Sequence, residues 1–124
     1  TLKLEGAKYN IKCNALAPVA GTRMTEDLMP GEVLDQIQPD HVTPAVTYMV
    51  SEDAPTGVIM SAGAGVFARV FIHETIGVNL GTGEDMTAEN IADKWDTISD
   101  MKDAKPCYQG GEQSQKIFEL IMKG

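Results

Sequence analysis

The feature that most constrains the fold is the run Cys13-Asn14-Ala15-Leu16-Ala17-Pro18-Val19-Ala20-Gly21-Thr22-Arg23-Met24-Thr25, an apolar segment leading into a Pro-led loop. Ile11 to Leu16 carries the continuous apolar character expected of a strand covered on both faces, which is the habit of parallel sheets. Asn10 bounds it on one side and Pro18 on the other. A second strand is expected at Val58-Ile59-Met60-Ser61-Ala62, after the Pro55-Thr56-Gly57 turn. Between the two, Val42, Val46, Met49 and Val50 recur at helical spacing; Asp40 or Thr43 is placed to cap that helix, Pro44 falls in its first turn, and its end is expected near Ser51. A strand, helix and strand in this order form a crossover unit with parallel strands, and such units are right-handed in nearly every case.

Other elements are sketched more lightly. Residues 1–10 read as the last turns of a helix, with Leu2 and Leu4 apolar. Thr22 to Ile37 mixes the Pro30-Gly31 turn signal with a short helical piece at 32–37 and reads as a lid. Val66 to His73 has β-branched and aromatic content and reads as a further strand or an extended arm. Thr87 can cap a helix in which Ile91, Trp95, Ile98 and Met101 make an apolar stripe. A loop over 105–111 then precedes a final helix carrying Ile117, Phe118, Leu120 and Ile121.

Composition limits the functions available. The 124 residues suffice for one domain and fall short of a complete dinucleotide-binding dehydrogenase, while 43% apolar and 23% charged content is that of a chain able to form a core. Eighteen acidic against ten basic residues give a net charge of -8. That balance disfavours nucleic acid and anionic membranes as partners. Apolar runs fall far short of the roughly 20 residues of a spanning helix, so no membrane anchor is expected. Two cysteines, Cys13 and Cys107, are too few for a disulfide framework and lack metal-ligand spacing, which fits a reducing intracellular compartment. The lack of an initiator Met suggests an incomplete or processed chain.

Several motifs invite chemistry and are better explained structurally. Gly63-Ala64-Gly65-Val66-Phe67-Ala68 spells a dinucleotide fingerprint, with Glu84 roughly 20 residues on. The fingerprint needs a helix to open inside it, whereas Val66 onward is β-like, so a sharp turn is expected. His41 and His73 have no second ligand at metal spacing, and the acidic pairs sit beside turns and helix ends. No catalytic residue and no metal ligand is assigned.

The ordered series Leu4-Glu5-Gly6, Ile11-Lys12-Cys13-Asn14, Ala17-Pro18, Gly21-Thr22-Arg23-Met24-Thr25, Met29-Pro30, Thr56-Gly57 and Gly63-Ala64-Gly65 resembles the C-terminal part of short-chain dehydrogenases/reductases. Within them it is most similar to the (3R)-hydroxyacyl-CoA dehydrogenase domain of the peroxisomal multifunctional enzyme type 2 group. The resemblance implies an α/β fold: a C-terminal fragment of a Rossmann-like doubly wound parallel sheet with a helical C-terminal extension. Residues 1–86 would hold the last two parallel strands, their crossover helix and the substrate lid, and residues 87–124 the extension. It implies NAD as the parent enzyme's cofactor and an acyl-CoA type substrate. Pro18, Val19 and Thr22 would face the cofactor, and Arg23 and Met24 the substrate. Val19 stands where many members have Gly, and the loop is one residue shorter. The family's catalytic Ser, its Tyr-x-x-x-Lys pair and its Gly-rich phosphate loop have no counterpart: Tyr9, Tyr48 and Tyr108 are followed four residues later by Cys13, Glu52 and Glu112.

The first reading is therefore a fragment of an NAD-dependent oxidoreductase whose parent oxidises 3-hydroxyacyl-CoA, itself inactive. Self-association is expected of it, because an inner strand would expose an unpaired edge. The compartment would be peroxisomal for a eukaryotic multifunctional enzyme and cytoplasmic otherwise. The alternative is a non-catalytic oligomeric binding or assembly module derived from such a fragment.

Overall fold

The computed structural model describes residues 1–123. It divides into two compact units, Thr1–Val70 and Phe71–Gly124. The first opens with α1 (Leu2–Gly6), prolonged by a 3-10 turn over Ala7–Tyr9. Asn10, in the left-handed region at φ 57°, ends it and returns its N–H to the Ala7 carbonyl. Asn tolerates that conformation better than most residues.

A three-stranded sheet follows in the order β1 (Ala15–Pro18), β2 (Ile59–Gly63), β3 (Val66–Val70). β1 and β2 run parallel, with Ala15 opposite Ile59 and Pro18 opposite Ala62. This is the parallel pair expected from sequence, and its fold class is α/β. The first strand starts later than the apolar run suggests, because residues 11–14 bond to a helix end and a turn. Ile11 N–H donates to the Gly6 carbonyl, Cys13 N–H to Thr56 Oγ1, and Gly57 N–H to the Cys13 carbonyl. Ala15 N–H donates to the Val58 carbonyl just ahead of β2, and Val19 N–H to the Ala62 carbonyl within it. Alternation then turns the intervening even-numbered positions to the outer edge, where Pro18 has no N–H to leave unsatisfied.

Between the parallel strands lie α2 (Gly31–Gln36), a 3-10 turn over Pro39–Val42 and α3 (Thr43–Met49). Neither Asp40 nor Thr43 caps α3; Val42 is its N-cap residue, without a side-chain bond. The buried face also differs from the expected one. Val42 and Ala45 are buried, Met49 is half-buried, and Val46 and Val50 are exposed. Ala45, the smallest residue of the set, lets the helix approach the sheet, and the core is Val42, Ala45 and Ala62 with Leu16, Ala20 and Met60 against them.

Ala64 and Gly65, at φ 50° and 76°, form the two-residue turn between β2 and antiparallel β3. Positive φ at both central residues is the requirement of the tight hairpin turn whose twist matches the strands. Gly63-Ala64-Gly65 is thus a turn, as its β-like sequel indicates, and no helix opens there.

The second unit holds a small antiparallel pair, β4 (His73–Glu74) with β5 (Lys105–Pro106), and the helices α4 (Ala88–Asp93), α5 (Trp95–Ile98) and α6 (Gly110–Lys123). Thr87 caps α4 as expected, its hydroxyl accepting the Asn90 N–H at 3.2 Å. The single helix read over 87–102 is two, broken at Lys94, and Ile91, Trp95 and Met101 of its stripe are exposed. Lys105-Pro106, read as loop, is a strand because Cys107 N–H and the β4 pairing draw it alongside Ile72 to Glu74. Gly124, the last residue of the expected extension, lies outside the described residues.

Candidate functional site

At the carboxyl end of β1 the chain leaves the sheet, which is where open parallel α/β sheets place their ligands. A set of local bonds holds this loop. Val19 N–H donates to the Ala62 carbonyl at 2.8 Å and Gly21 N–H to Ile37 at 2.6 Å. Thr22 N–H donates to Thr25 Oγ1 at 2.8 Å, Thr25 Oγ1 donates to the Ala20 carbonyl at 3.2 Å, and Met24 N–H reaches Thr22 Oγ1 at 3.3 Å. Thr22 carbonyl then accepts from Thr25 and Glu26, starting the turns that carry the chain over to α2.

Gly63 lets this loop lie against the end of β2. A Cβ there would stand 2.6 Å from the Val19 carbonyl oxygen and 2.9 Å from its Cβ. Both neighbours belong to the loop, so a side chain at Gly63 would lift it.

The expected site residues Pro18, Val19, Thr22, Arg23 and Met24 are all exposed and follow one another along this rim. Thr22 and Arg23 also line one open cleft of about 270 Å³ with Gly21, Glu26, Leu34 and Gln38. Pro18, Val19 and Met24 do not. Met24 is 87% exposed, so it stands clear of the loop it belongs to. Among the described residues no group of three or more His, Cys, Asp and Glu side chains is arranged to hold a metal ion. His41 Nδ1 is bonded to the Gln36 carbonyl at 2.7 Å, and the His73 ring meets Phe71 edge-on.

Two residues with no assigned part prove to organise the loop and the strand before it. Thr25 is the pivot of the bonds just described. Asn14 sits ahead of β1, donating to the Pro55 carbonyl at 2.8 Å and the Met49 carbonyl at 3.4 Å while accepting Val58 N–H at 3.0 Å. It ties the end of α3, the Pro55 to Gly57 turn and both parallel strands to one side chain. The three-residue Thr spacing is a recognisable local signal; the reach of Asn14 across 35 to 44 residues has none.

A second polar cluster occupies the second unit. Lys116 is ion-paired with Glu74 and donates to the Thr75 carbonyl at 2.8 Å, and Cys107 Sγ lies 3.6 Å from the other Glu74 oxygen. They share a cavity of about 290 Å³ with Lys105, Glu112 and Leu120. The Lys116 ammonium holds the Glu74 carboxyl below its ordinary range, while burial, and then the Glu74 carboxylate, push the Cys107 thiol up. A thiol kept protonated is a poor nucleophile. The cluster ties β4 to α6 and offers no activated group.

No family model matches the chain. It is 42% identical over 106 residues to a short-chain type dehydrogenase/reductase of Mycobacterium tuberculosis, covering 85% of this chain and 36% of that protein. It is 33% identical over 125 residues to mouse peroxisomal multifunctional enzyme type 2, covering 99% of this chain and 17% of that protein. The solved full-length peroxisomal multifunctional enzyme type 2 of Drosophila melanogaster superposes with a TM-score of 0.79 at 26% identity, over 98% of this chain and 22% of that one. The chain thus spans little more than a third of the length of these relatives, or less.

Proposed function

From a chain homologous over part of their length to short-chain dehydrogenases/reductases and to peroxisomal multifunctional enzymes type 2, we propose that it supplies the nicotinamide- and substrate-facing segment of an NAD-dependent oxidoreductase acting on a 3-hydroxyacyl-CoA. The observation that carries this reading is the pinned loop at the carboxyl end of β1, which presents Pro18, Val19, Thr22, Arg23 and Met24 as one exposed rim. Backbone groups of Pro18 and Val19 would meet the carboxamide of the cofactor. Thr22 Oγ1 already accepts the Met24 N–H, which leaves its proton to donate toward the cofactor. Arg23 would face the anionic CoA portion and Met24, flexible and apolar, the acyl chain. NAD, when bound, would accept the hydride from the carbon bearing the 3-hydroxyl group.

Proton transfer is a different matter. No Tyr in the sequence is followed by Lys at the fourth position, so the proton-moving pair and the Gly-rich phosphate loop would have to come from outside these 124 residues. By itself the chain is proposed to be inactive. Residues 1–86 would form the dehydrogenase-like part and 87–124 the helical extension, and the chain would self-associate. The compartment would follow the source, peroxisomal for a eukaryotic multifunctional enzyme. No helix among the described residues is long and apolar enough to cross a membrane.

The test is to recover the coding sequence around these residues and assay its product with NAD and a (3R)-hydroxyacyl-CoA. The expected result is NADH formation by the encoded protein, a several-fold higher KM for NAD in its Thr22→Ala variant, and no turnover by the 124-residue chain. A reading frame without the Tyr-x-x-x-Lys pair, or turnover by the 124 residues alone, would overturn the proposal. A frame confined to these residues would favour the assembly module instead.

A further inference from the structure

α6 turns its apolar stripe away from its own unit. Glu112, Lys116 and Leu120, four residues apart, are its half-buried positions and line the cavity beside Glu74. Ile117, Phe118, Ile121 and Met122 are 47%, 66%, 57% and 85% exposed. Helical spacing aligns Gly111, Ser114, Phe118 and Met122 as one ridge, with Ile117 and Ile121 as its neighbour. That ridge is graded, with its two small residues toward the N-terminus and its two large ones toward the C-terminus, and an open groove follows it.

We infer that α6 pairs with α6 of a second copy, antiparallel about a two-fold axis, so that Phe118 and Met122 of each copy seat against Ser114 and Gly111 of the other. This deepens the self-association proposed above, on which it rests, by giving it a surface. The occupant follows from the gradation. A two-fold axis across the helix reverses the ridge, so large residues meet small ones, whereas a parallel pair would set Phe118 against Phe118 and leave a void at Gly111. The helix dipoles agree, since an antiparallel copy sets the positive N-terminal end of each α6 beside the negative C-terminal end of the other. Covering the four exposed apolar side chains in both copies would remove on the order of 1,000 Å² from water, about the lower limit for a specific interface. The pair is therefore a reversible dimer.

Sedimentation of the 124-residue chain over a concentration series, beside its Phe118→Glu variant, tests this. The expected result is a concentration-dependent dimer that the variant weakens at least tenfold, with an unchanged thermal midpoint at concentrations low enough for both chains to be monomeric, because Phe118 is exposed. Orientation is read by cross-linking in a Cys13→Ala, Cys107→Ala background. Ser114→Cys chains mixed with Phe118→Cys chains should form the mixed disulfide faster than either forms its own. A dimer insensitive to Phe118→Glu overturns the surface and leaves self-association standing, and a monomer at every concentration overturns both. A monomer whose thermal midpoint falls on Phe118→Glu shows the stripe covered within one chain, which also overturns the surface.

Discussion

Thr25 and Asn14 each organise a stretch of chain through one side chain, and neither needs burial to do it. The Thr25 hydroxyl both accepts and donates within the loop after β1, so it fixes the backbone from Ala20 to Thr25 before any ligand arrives. Glu74 works across a longer span. Its carboxylate lies between the Lys116 ammonium and the Cys107 thiol, and its charge opposes thiolate formation. Glu74→Gln removes that charge and leaves Lys116 beside the sulfur, so both changes lower the thiol pKa. The expected outcome is several-fold faster alkylation of Cys107 in the variant at mildly alkaline pH, read by mass spectrometry with Cys13 as internal reference; an unchanged Cys107 rate would sink this account. Pairs of this kind were invisible in the sequence, since 42 residues separate Glu74 from Lys116 and nothing periodic links them. The rim from Pro18 to Met24 was legible because it is contiguous and led by proline.

At the scale of elements, legibility followed locality. The β1 and β2 pair, the Thr87 cap and the final helix could be read because strand runs, cap residues and helical spacing are short-range signals. The broken helix over 87–102 and the strand at Lys105-Pro106 were missed, because a bridge-region backbone at Lys94 and a two-residue ladder are decided by tertiary partners. The hairpin between β2 and β3 shows what local strain remains. Ala64 stands at φ 50° without the hydrogen-bonding side chain that eases that region for Asn. Asn-Gly is the preferred pair for such a turn. Ala64→Asn is therefore expected to stabilise the chain by up to about 1 kcal/mol, seen as a higher urea midpoint at unchanged slope. A lower midpoint would mean that the turn is not of the type its angles indicate.

Across the whole chain, the two compact units have separate sources of stability, and pH is the variable that tells them apart. The first unit is a parallel pair with a small apolar core, held by backbone ladders and by neutral bonds from Asn14 and Thr25. The second hangs its β4 to α6 contact on the Glu74 and Lys116 ion pair. Lys116 lowers the folded pKa of Glu74 from its ordinary 4.5, so the folded unit binds that proton less readily than the unfolded chain. The pair's contribution is present above about pH 4.5 and is lost as pH falls through the lowered folded value. Hydrogen exchange between about pH 6 and pH 3, corrected for intrinsic rates, should therefore show Glu74 and Lys105 losing protection ahead of Ala15 to Pro18 and Ile59 to Gly63. In Lys116→Met the Glu74 pKa returns toward its ordinary value, and the acid-dependent loss in the second unit should flatten. If both sheets opened together on acidification, or if Lys116→Met left the pH profile of Glu74 and Lys105 as it was, the ion pair would not be what joins β4 to α6, and the apolar contact of Leu120 with the cavity wall would have to carry that role.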